Sequence, residues 1–114
     1  MHELGIVYHI MDSIEQVAKE NEVTQINKVV LELGEMSSVV ESYLRNCWKW
    51  ASKSRELFIE TELIVEPIQA IAFCESCEKT YEAAEHGKIC PYCGSMKNHL
   101  LQGDEFNIKE IEVV

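Results

Sequence analysis

The sequence has few basic residues and no long apolar run. Ten Lys and Arg stand against 20 Asp and Glu, which gives a formal net charge of −10 over 114 residues. Because proteins that bind nucleic acid neutralise phosphates with Lys and Arg, this balance argues against nucleic acid and against an anionic membrane surface. No segment approaches the roughly 18 apolar residues of a membrane-spanning helix, and the N-terminus lacks the pattern of a signal peptide. We therefore expect a cytosolic protein.

Cysteine is present in an odd number, which does not fit a complete disulfide framework. Four of the five cysteines form two close pairs, Cys74 with Cys77 and Cys90 with Cys93. In a reducing compartment such pairs indicate metal binding rather than disulfides. The fifth, Cys47, lies alone at an apolar position of a predicted helix, where a free cysteine is usually buried and unreactive.

The two Cys-x-x-Cys pairs, twelve residues apart, predict a four-thiolate metal site. Each pair can form a tight turn that directs two sulfurs to one point, and two such turns give the tetrahedron that zinc adopts with thiolates. Pro91 fixes φ early in the second turn, and Gly94 can take the positive φ that follows the last ligand. Four protein ligands leave no open position, so the zinc should be structural, held by Cys74, Cys77, Cys90 and Cys93.

Three other interpretations of this segment remain open. Cys90-Pro91-Tyr92-Cys93 is also a dithiol redox sequence of glutaredoxin type. A tetrahedral four-sulfur site can hold iron, as in an electron-transfer protein. A zinc ribbon could also serve only to bind another protein. Stoichiometric zinc would exclude the redox interpretation, and a colourless protein would exclude iron.

Apolar periodicity predicts an α/β (α+β) fold, with two helices on a small three-stranded sheet and an inserted zinc-ribbon-like lobe. In chain order the predicted elements are a helix over 2–21, a strand over 25–33, a helix over 38–53, a strand over 60–66 and a last strand over 106–114. Ser38 and Glu41 fit a capping box for the second helix, and Pro67 should mark a sheet edge or the exit from a strand.

The chain is predicted to divide into an α/β domain, residues 1–69 plus 104–114, and a metal lobe, residues 70–103. The strands on either side of the lobe are expected to pair. The lobe is too short and too poor in apolar residues to fold without its metal.

The N-terminal Met1-His2-Glu3 is a second candidate metal site. The amine of Met1, the backbone nitrogen of His2 and its imidazole can chelate one ion, and the Glu3 backbone nitrogen or carboxylate can complete the shell. Nitrogen-rich, near-planar sets suit Ni(II) or Cu(II). The alternative is a frayed terminus in which Glu3 only favours the start of the first helix.

Three features together resemble the HypA/HybF family of hydrogenase maturation factors: the start Met-His-Glu-Leu, the segment Leu33-Gly34-Glu35-Met36-Ser37-Ser38-Val39, and the two cysteine pairs. The resemblance covers essentially the whole chain. It implies a nickel metallochaperone whose α/β domain binds transferable Ni(2+) through His2 and Glu3, with structural Zn(2+) in the lobe. His86 is a further candidate nickel ligand, and His99 stays unassigned.

The resemblance also implies partners. These are a HypB-type GTPase and the large subunit of NiFe hydrogenase, with urease maturation as a further role in some relatives. A nickel-independent zinc-ribbon interaction module is the alternative function. The sequence shows no nucleophile–base pair and no phosphate loop, so we expect no catalysis. Its oligomeric state, monomer or dimer, stays open.

Overall fold

The computed structural model describes residues 2–114, except for the side chain of His2. Its elements in chain order are α1 (His2–Glu20), β1 (Ile26–Gly34), α2 (Glu41–Ser52), a 3-10 turn (Glu56–Phe58), β2 (Glu62–Ile68), β3 (Ile71–Cys74), β4 (Thr80–Glu82), α3 (Ala83–His86), β5 (Asn98–Gln102) and β6 (Phe106–Val113). Over this part of the chain, no helix has the length and apolar character needed to cross a membrane. The predicted mixed α+β class is confirmed.

The chain forms two compact units. The first comprises residues up to Leu31, Val39–Glu66 and Asn107–Val114, and the second comprises Glu32–Ser38 and Pro67–Phe106. The segment Glu32–Ser38 therefore belongs with the metal lobe, although it is more than 30 residues earlier in sequence. The predicted domain boundaries stay a prediction, because compactness does not test independent folding.

Helix α1 forms as predicted because its apolar residues recur at helical spacing. The buried positions on this helix are Val7, Ile10, Met11, Ile14 and Ala18. The apolar residue Val17 lies outside this buried stripe, since its side chain is 52% exposed. The helix ends at Glu20, and the N–H of Asn21 donates to the carbonyls of Val17 and Ala18, which confirms the predicted stop.

Strands β1 and β2 run parallel, with α2 as the crossover between them. The Thr61 hydroxyl donates to the Ile26 carbonyl at the start of both strands. At the other end, the N–H of Glu35 donates to the Ile68 carbonyl. A parallel pair needs such a crossover, because a tight turn can join only antiparallel strands.

Strand β6 lies antiparallel to β1 on its other side. The N–H of Gly34 donates to the Glu105 carbonyl, and the N–H of Val114 donates to the Gln25 carbonyl. The sheet order is β2-β1-β6. The predicted pairing of the strands before and after the lobe is therefore wrong: both flank β1, because the crossover returns β2 to one edge of β1 and leaves the other edge for β6. Pro67 lies in an edge strand, as predicted.

Helix α2 begins at Glu41, three residues later than predicted. Its N-cap is Val40, which has no side-chain cap, so the predicted capping box is wrong. The core-facing residues are Leu44, Trp48, Ala51 and Ser52. Trp48 packs edge-on against Phe58, with ring centroids 5.5 Å apart. Cys47, predicted to be buried, is only half-buried because this stripe is rotated away from it.

The second unit contains an antiparallel sheet in the order β4-β3-β5. Phe73 is opposite both Thr80 in β4 and His99 in β5. The sequence reasoning missed β4, α3 and β5, because elements of three to five residues are too short to show a periodicity.

Candidate metal centre

The first cysteine pair occupies the turn of the β3–β4 hairpin. The carbonyl of Cys74 accepts from the N–H of Glu78 at 2.8 Å, and the N–H of Cys74 donates to the Lys79 carbonyl at 2.9 Å. Glu78 has a φ of 61°. The hairpin thus ends in a closed knuckle that carries both sulfurs on one side.

The second pair repeats the same hydrogen bonds. The Cys90 carbonyl accepts from the N–H of Gly94 at 2.9 Å, and the N–H of Cys90 donates to the Ser95 carbonyl at 3.0 Å. Gly94 has a φ of 75°, which confirms the predicted left-handed residue after the last cysteine. The hydroxyls of Ser76 and Ser95 lie 2.8 Å apart and join the two knuckles.

The four sulfurs converge on one point, within 4.8 Å of one another. The Sγ atoms of Cys74 and Cys93 are 3.6 Å apart, and those of Cys77 and Cys90 are 3.7 Å apart. A tetrahedral zinc with Zn–S bonds of about 2.3 Å requires sulfur–sulfur distances of about 3.8 Å. The residues therefore fit a closed four-sulfur ion site, the geometry expected from the spacing.

Contacts among the thiols and hydrogen bonds from backbone N–H groups give these cysteines different pKa values. Backbone N–H groups of Cys77 and Ser76 point at Cys74 and lower its pKa to about 7 against the effect of burial. The N–H of Ser95 lowers the pKa of Cys93, but the contact of its sulfur with that of Cys74 and the partial desolvation of this sulfur outweigh that donor and raise the pKa to about 12. A cation at the centre favours all four thiolates, so metal binding should release protons.

The packing around the sulfurs is thin. The buried cluster of this unit consists of Ala70, Ala72, Cys74, Tyr81, Ala83 and Cys90, with Cys77 and Leu100 packed against it. Three of these residues are alanines, and two are cysteines of the site itself. Such a cluster buries little apolar surface, so a bound ion has to supply most of the folding free energy of the lobe.

A glutaredoxin-type dithiol does not match this arrangement. That chemistry places the reactive cysteine at the start of a helix. Here Cys90 is almost fully buried, and the described residues between Cys93 and β5 form no helix. Cys90 is instead held in a knuckle opposite a second cysteine pair.

The N-terminal site falls partly outside the described residues. Met1 and the side chain of His2 lie outside them, so their predicted nickel contacts stay predictions. Glu3 is only 8% exposed, and its Oε2 accepts from the N–H of Val40 at 3.2 Å. Its carboxylate therefore accepts from the N-cap residue of α2, the contact that the predicted capping box assigned to the side chain of Glu41, and it lies where the helix dipole favours negative charge.

Glu3→Ala is expected to destabilise the first unit by about 1–2 kcal/mol, because a part-buried N–H at the α2 terminus loses its acceptor. Glu3→Gln keeps an acceptor oxygen on a side chain of the same length, so the free energy of unfolding should fall by less than about 1 kcal/mol. Urea unfolding of the zinc-loaded proteins, followed by far-UV circular dichroism, measures both. Equal losses in the two variants would show that charge, and not the hydrogen bond, stabilises this contact.

The two histidines of the lobe each lie near a carboxylate of the same unit. His99 Nδ1 is 3.3 Å from Glu75 Oε2, and its ring lies 5.4 Å from that of Phe73. His86 Nε2 is 3.9 Å from Glu85 Oε2. The nickel role suggested for His86 stays a prediction.

Sequence reasoning missed a close backbone contact beside the metal lobe. A Cβ on Gly34 would lie 2.1 Å from the Gly103 carbonyl oxygen, and a Cβ on Gly103 would lie 2.3 Å from the Cα of Ala70. In the sequence, Gly34 directly follows the predicted strand over 25–33, and Gly103 precedes the predicted last strand over 106–114. Their proximity depends on a contact across nearly 70 residues, which no local pattern encodes.

Known proteins match the chain along its whole length. A family described as hydrogenase/urease nickel incorporation, metallochaperone, hypA, matches residues 1–113. The hydrogenase maturation factor HypA of Actinobacillus succinogenes is 32% identical over 99% of both chains. The hydrogenase maturation factor HybF of Klebsiella pneumoniae is 30% identical over 98% of both.

Solved structures show the same fold. The solution structure of a HypA protein has a TM-score of 0.74 at 22% identity, covering 100% of this chain and 97% of that one. The solution structure of the nickel metallochaperone HypA from Helicobacter pylori has a TM-score of 0.69 at 21% identity, covering 98% and 97%. The chain therefore belongs to the HypA family of hydrogenase/urease nickel-incorporation metallochaperones.

Proposed function

We propose that the protein binds Ni(II) at its N-terminus and delivers it for the maturation of NiFe hydrogenase, with zinc held structurally by Cys74, Cys77, Cys90 and Cys93. The observation that carries this proposal is the closed four-sulfur cluster in a chain of the HypA family. Because four cysteines complete one tetrahedral site, a transferable ion needs a different site, and Met1-His2-Glu3 offers the nitrogen ligands that nickel prefers.

The two sites differ in lability. Four thiolates enclose the zinc, and two of the four sulfurs belong to buried residues, so exchange should be slow. The terminal set depends on an amine, a backbone nitrogen and one imidazole at the start of the chain. An acceptor protein can replace such ligands one at a time, which favours transfer over storage.

The proposed partners follow from the family. They are a HypB-type GTPase, the large subunit of NiFe hydrogenase and, as a further recipient, urease accessory proteins. Glu3 contributes its backbone nitrogen to the nickel shell, since its carboxylate already caps α2. The hydrogen bond between the Glu3 carboxylate and the N–H of Val40 therefore stays intact when nickel binds.

Calorimetric titration of the zinc-loaded protein with nickel is expected to show one site per chain. His2→Ala and a form with one extra residue before Met1 should both abolish it, because each removes part of the terminal chelate. His9→Ala is the matched control, since His9 is an exposed histidine of the same helix. Equal nickel binding by the His2 variant and the His9 variant would refute the terminal site.

Nickel affinity is expected to fall as the pH drops through about 6.5, since an imidazole protonates near that value and an amine near 8. Both groups must be deprotonated to bind metal, so affinity rises with pH and decreases by about tenfold or more per pH unit below this range. Titrations at several pH values from acidic to mildly alkaline measure this dependence. A flat profile would contradict the amine and imidazole as ligands.

A further inference from the structure

The outer side of α2 carries an exposed aromatic surface. Tyr43 and Trp50 lie two helical turns apart and are 59% and 62% exposed. Cys47 lies between them on the same side of the helix, since residues four and seven positions apart share a helix face. We call this surface, completed by Leu4 of α1, the aromatic face. A contiguous exposed patch that contains Trp and Tyr is typical of binding surfaces, whereas a single exposed aromatic residue is not.

A groove runs along the aromatic face between the two helices. It has a volume of about 250 Å³ and is lined by Leu4, Asn46, Cys47 and Trp50. Leu4 comes from α1 and the other three from α2, and the two helices pack against each other within the first unit. A groove between two packed helices, with aromatic and aliphatic walls, has the form that receives the apolar side of a third helix.

The α2 side of this groove is basic, whereas the protein as a whole is acidic. The segment from Glu41 to Lys53 holds three basic residues against one acidic residue, in a chain with a net charge of −10. Arg45 pairs with Glu41. Lys49 and Lys53 are exposed, and neither makes a salt bridge within the described residues. On the surface of the helix the two lysines lie next to the stripe that holds Tyr43 and Trp50, so they border the groove on one side.

We propose that the aromatic face binds an acidic, amphipathic helix of a partner protein. Apolar side chains of that helix would enter the groove beside Trp50, and its carboxylates would pair with Lys49 and Lys53. A second copy of the chain fits less well, because two such faces would bring their lysines together. Nucleic acid and anionic lipid fit less well too, since the rest of the chain is strongly acidic.

This docking site would serve the proposed nickel transfer, and in that respect it rests on the proposed function. Leu4 lines the groove and follows His2 by two residues. A helix seated there would contact Leu4, which is only two residues along the chain from His2, the residue proposed to hold the ion. Aromatic anchoring would fix the partner, while the terminal ligands stay free to exchange.

The first test compares two equally exposed aromatic residues. Binding of the zinc-loaded protein to a purified HypB-type GTPase, and separately to a NiFe hydrogenase large-subunit precursor, is measured by biolayer interferometry. Trp50→Ala should weaken binding to at least one of them by about tenfold or more. Tyr92→Ala, which removes a 61% exposed aromatic of the metal lobe, should leave that affinity within about twofold.

The second test concerns charge. Lys49→Glu combined with Lys53→Glu should weaken the same interaction by about tenfold, with a loss that shrinks at high salt. Lys88→Glu combined with Lys97→Glu, two exposed lysines of the lobe, is the matched control. Loss of binding only in the lobe variants, or no binding of the wild-type protein to either probe, would overturn the proposal.

A site-resolved readout separates docking from unfolding. The chain has two tryptophans, so protein labelled with 5-fluorotryptophan should give two ¹⁹F resonances. Partner binding should shift or broaden the signal of exposed Trp50 and leave that of buried Trp48 in place; a change only at Trp48 would count against the site. Trp50→Ala should keep one nickel site per chain, so failure of docking and failure of the nickel site are distinguishable.

Discussion

Cys74→Ala is expected to unfold the metal lobe while the helices of the first unit persist. The lobe packs only a few small side chains around its sulfurs. A structural zinc ion contributes roughly 10–16 kcal/mol at neutral pH in small zinc-binding peptides. Removing one of four ligands should cost a large part of that free energy, more than the alanine-rich cluster can supply.

The effect should be confined to one unit because α1 and α2 have an apolar core of their own. Val7, Met11 and Ile14 of α1 are fully buried within the first unit, as are Leu44 of α2 and Phe58. Burial of each such side chain contributes about 1.5–3 kcal/mol. The helices therefore do not need the metal, although strands that continue into the second unit should fray.

Amide NMR spectra and metal analysis measure this outcome together. Signals of residues 70–103 should collapse to random-coil positions, and zinc content should fall well below one per chain. Cys47→Ala is the control, because Cys47 lies outside the cluster and should keep full zinc and a native spectrum. Normal zinc content in the Cys74 variant would contradict the four-thiolate assignment. If the unsubstituted protein were red and held stoichiometric iron, the site would be an iron site and not a zinc site.

Features that depend on neighbouring residues were predictable from the sequence. Helix α1 follows from a stripe of apolar residues at helical spacing, and the cysteine cluster follows from two pairs that each close a local turn. Even the positive φ of Gly94 follows from its place after a knuckle. In each case the physical cause lies in the spacing of residues over a short stretch of the chain.

Features that depend on distant residues were not predictable. Ser38 and Glu41 fit a local cap for α2, but the buried carboxylate of Glu3 takes that place from 37 residues away. The strand order was also wrong, because alternation shows that a strand exists but not which neighbour it selects. The Met1 amine and the His2 imidazole, the centre of the nickel proposal, lie outside the described residues.

Gly103→Ala is the second large effect that we expect, because three chain segments meet at this glycine. The new Cβ would lie 2.3 Å from the Cα of Ala70, and Gly103 has a φ of 114° that other residues rarely adopt. Its carbonyl accepts from the N–H of Met36 at 2.7 Å, and its own N–H donates to Glu105 Oε1 at 2.6 Å. The backbone therefore cannot turn away without losing hydrogen bonds.

The backbone strain and the overpacking together should cost about 3–5 kcal/mol in the second unit. Since zinc binding is coupled to folding of this unit, the loss should appear as zinc affinity reduced by about 100-fold or more. Competition with a chromogenic chelator measures that affinity. The four cysteines of the cluster are unchanged in this variant, so a weaker affinity for zinc would show that the backbone around Gly103 supports the site.

Gly5→Ala is the matched control for this glycine substitution. Gly5 lies in α1 with nothing within 4 Å of a built Cβ, so alanine should stabilise the first unit by about 0.5–1 kcal/mol. Its zinc affinity should equal that of the wild-type protein. If Gly103→Ala also keeps wild-type zinc affinity, then the contact between residues 70 and 103 does not hold the lobe in its metal-binding conformation, and the knuckles fold around zinc without it.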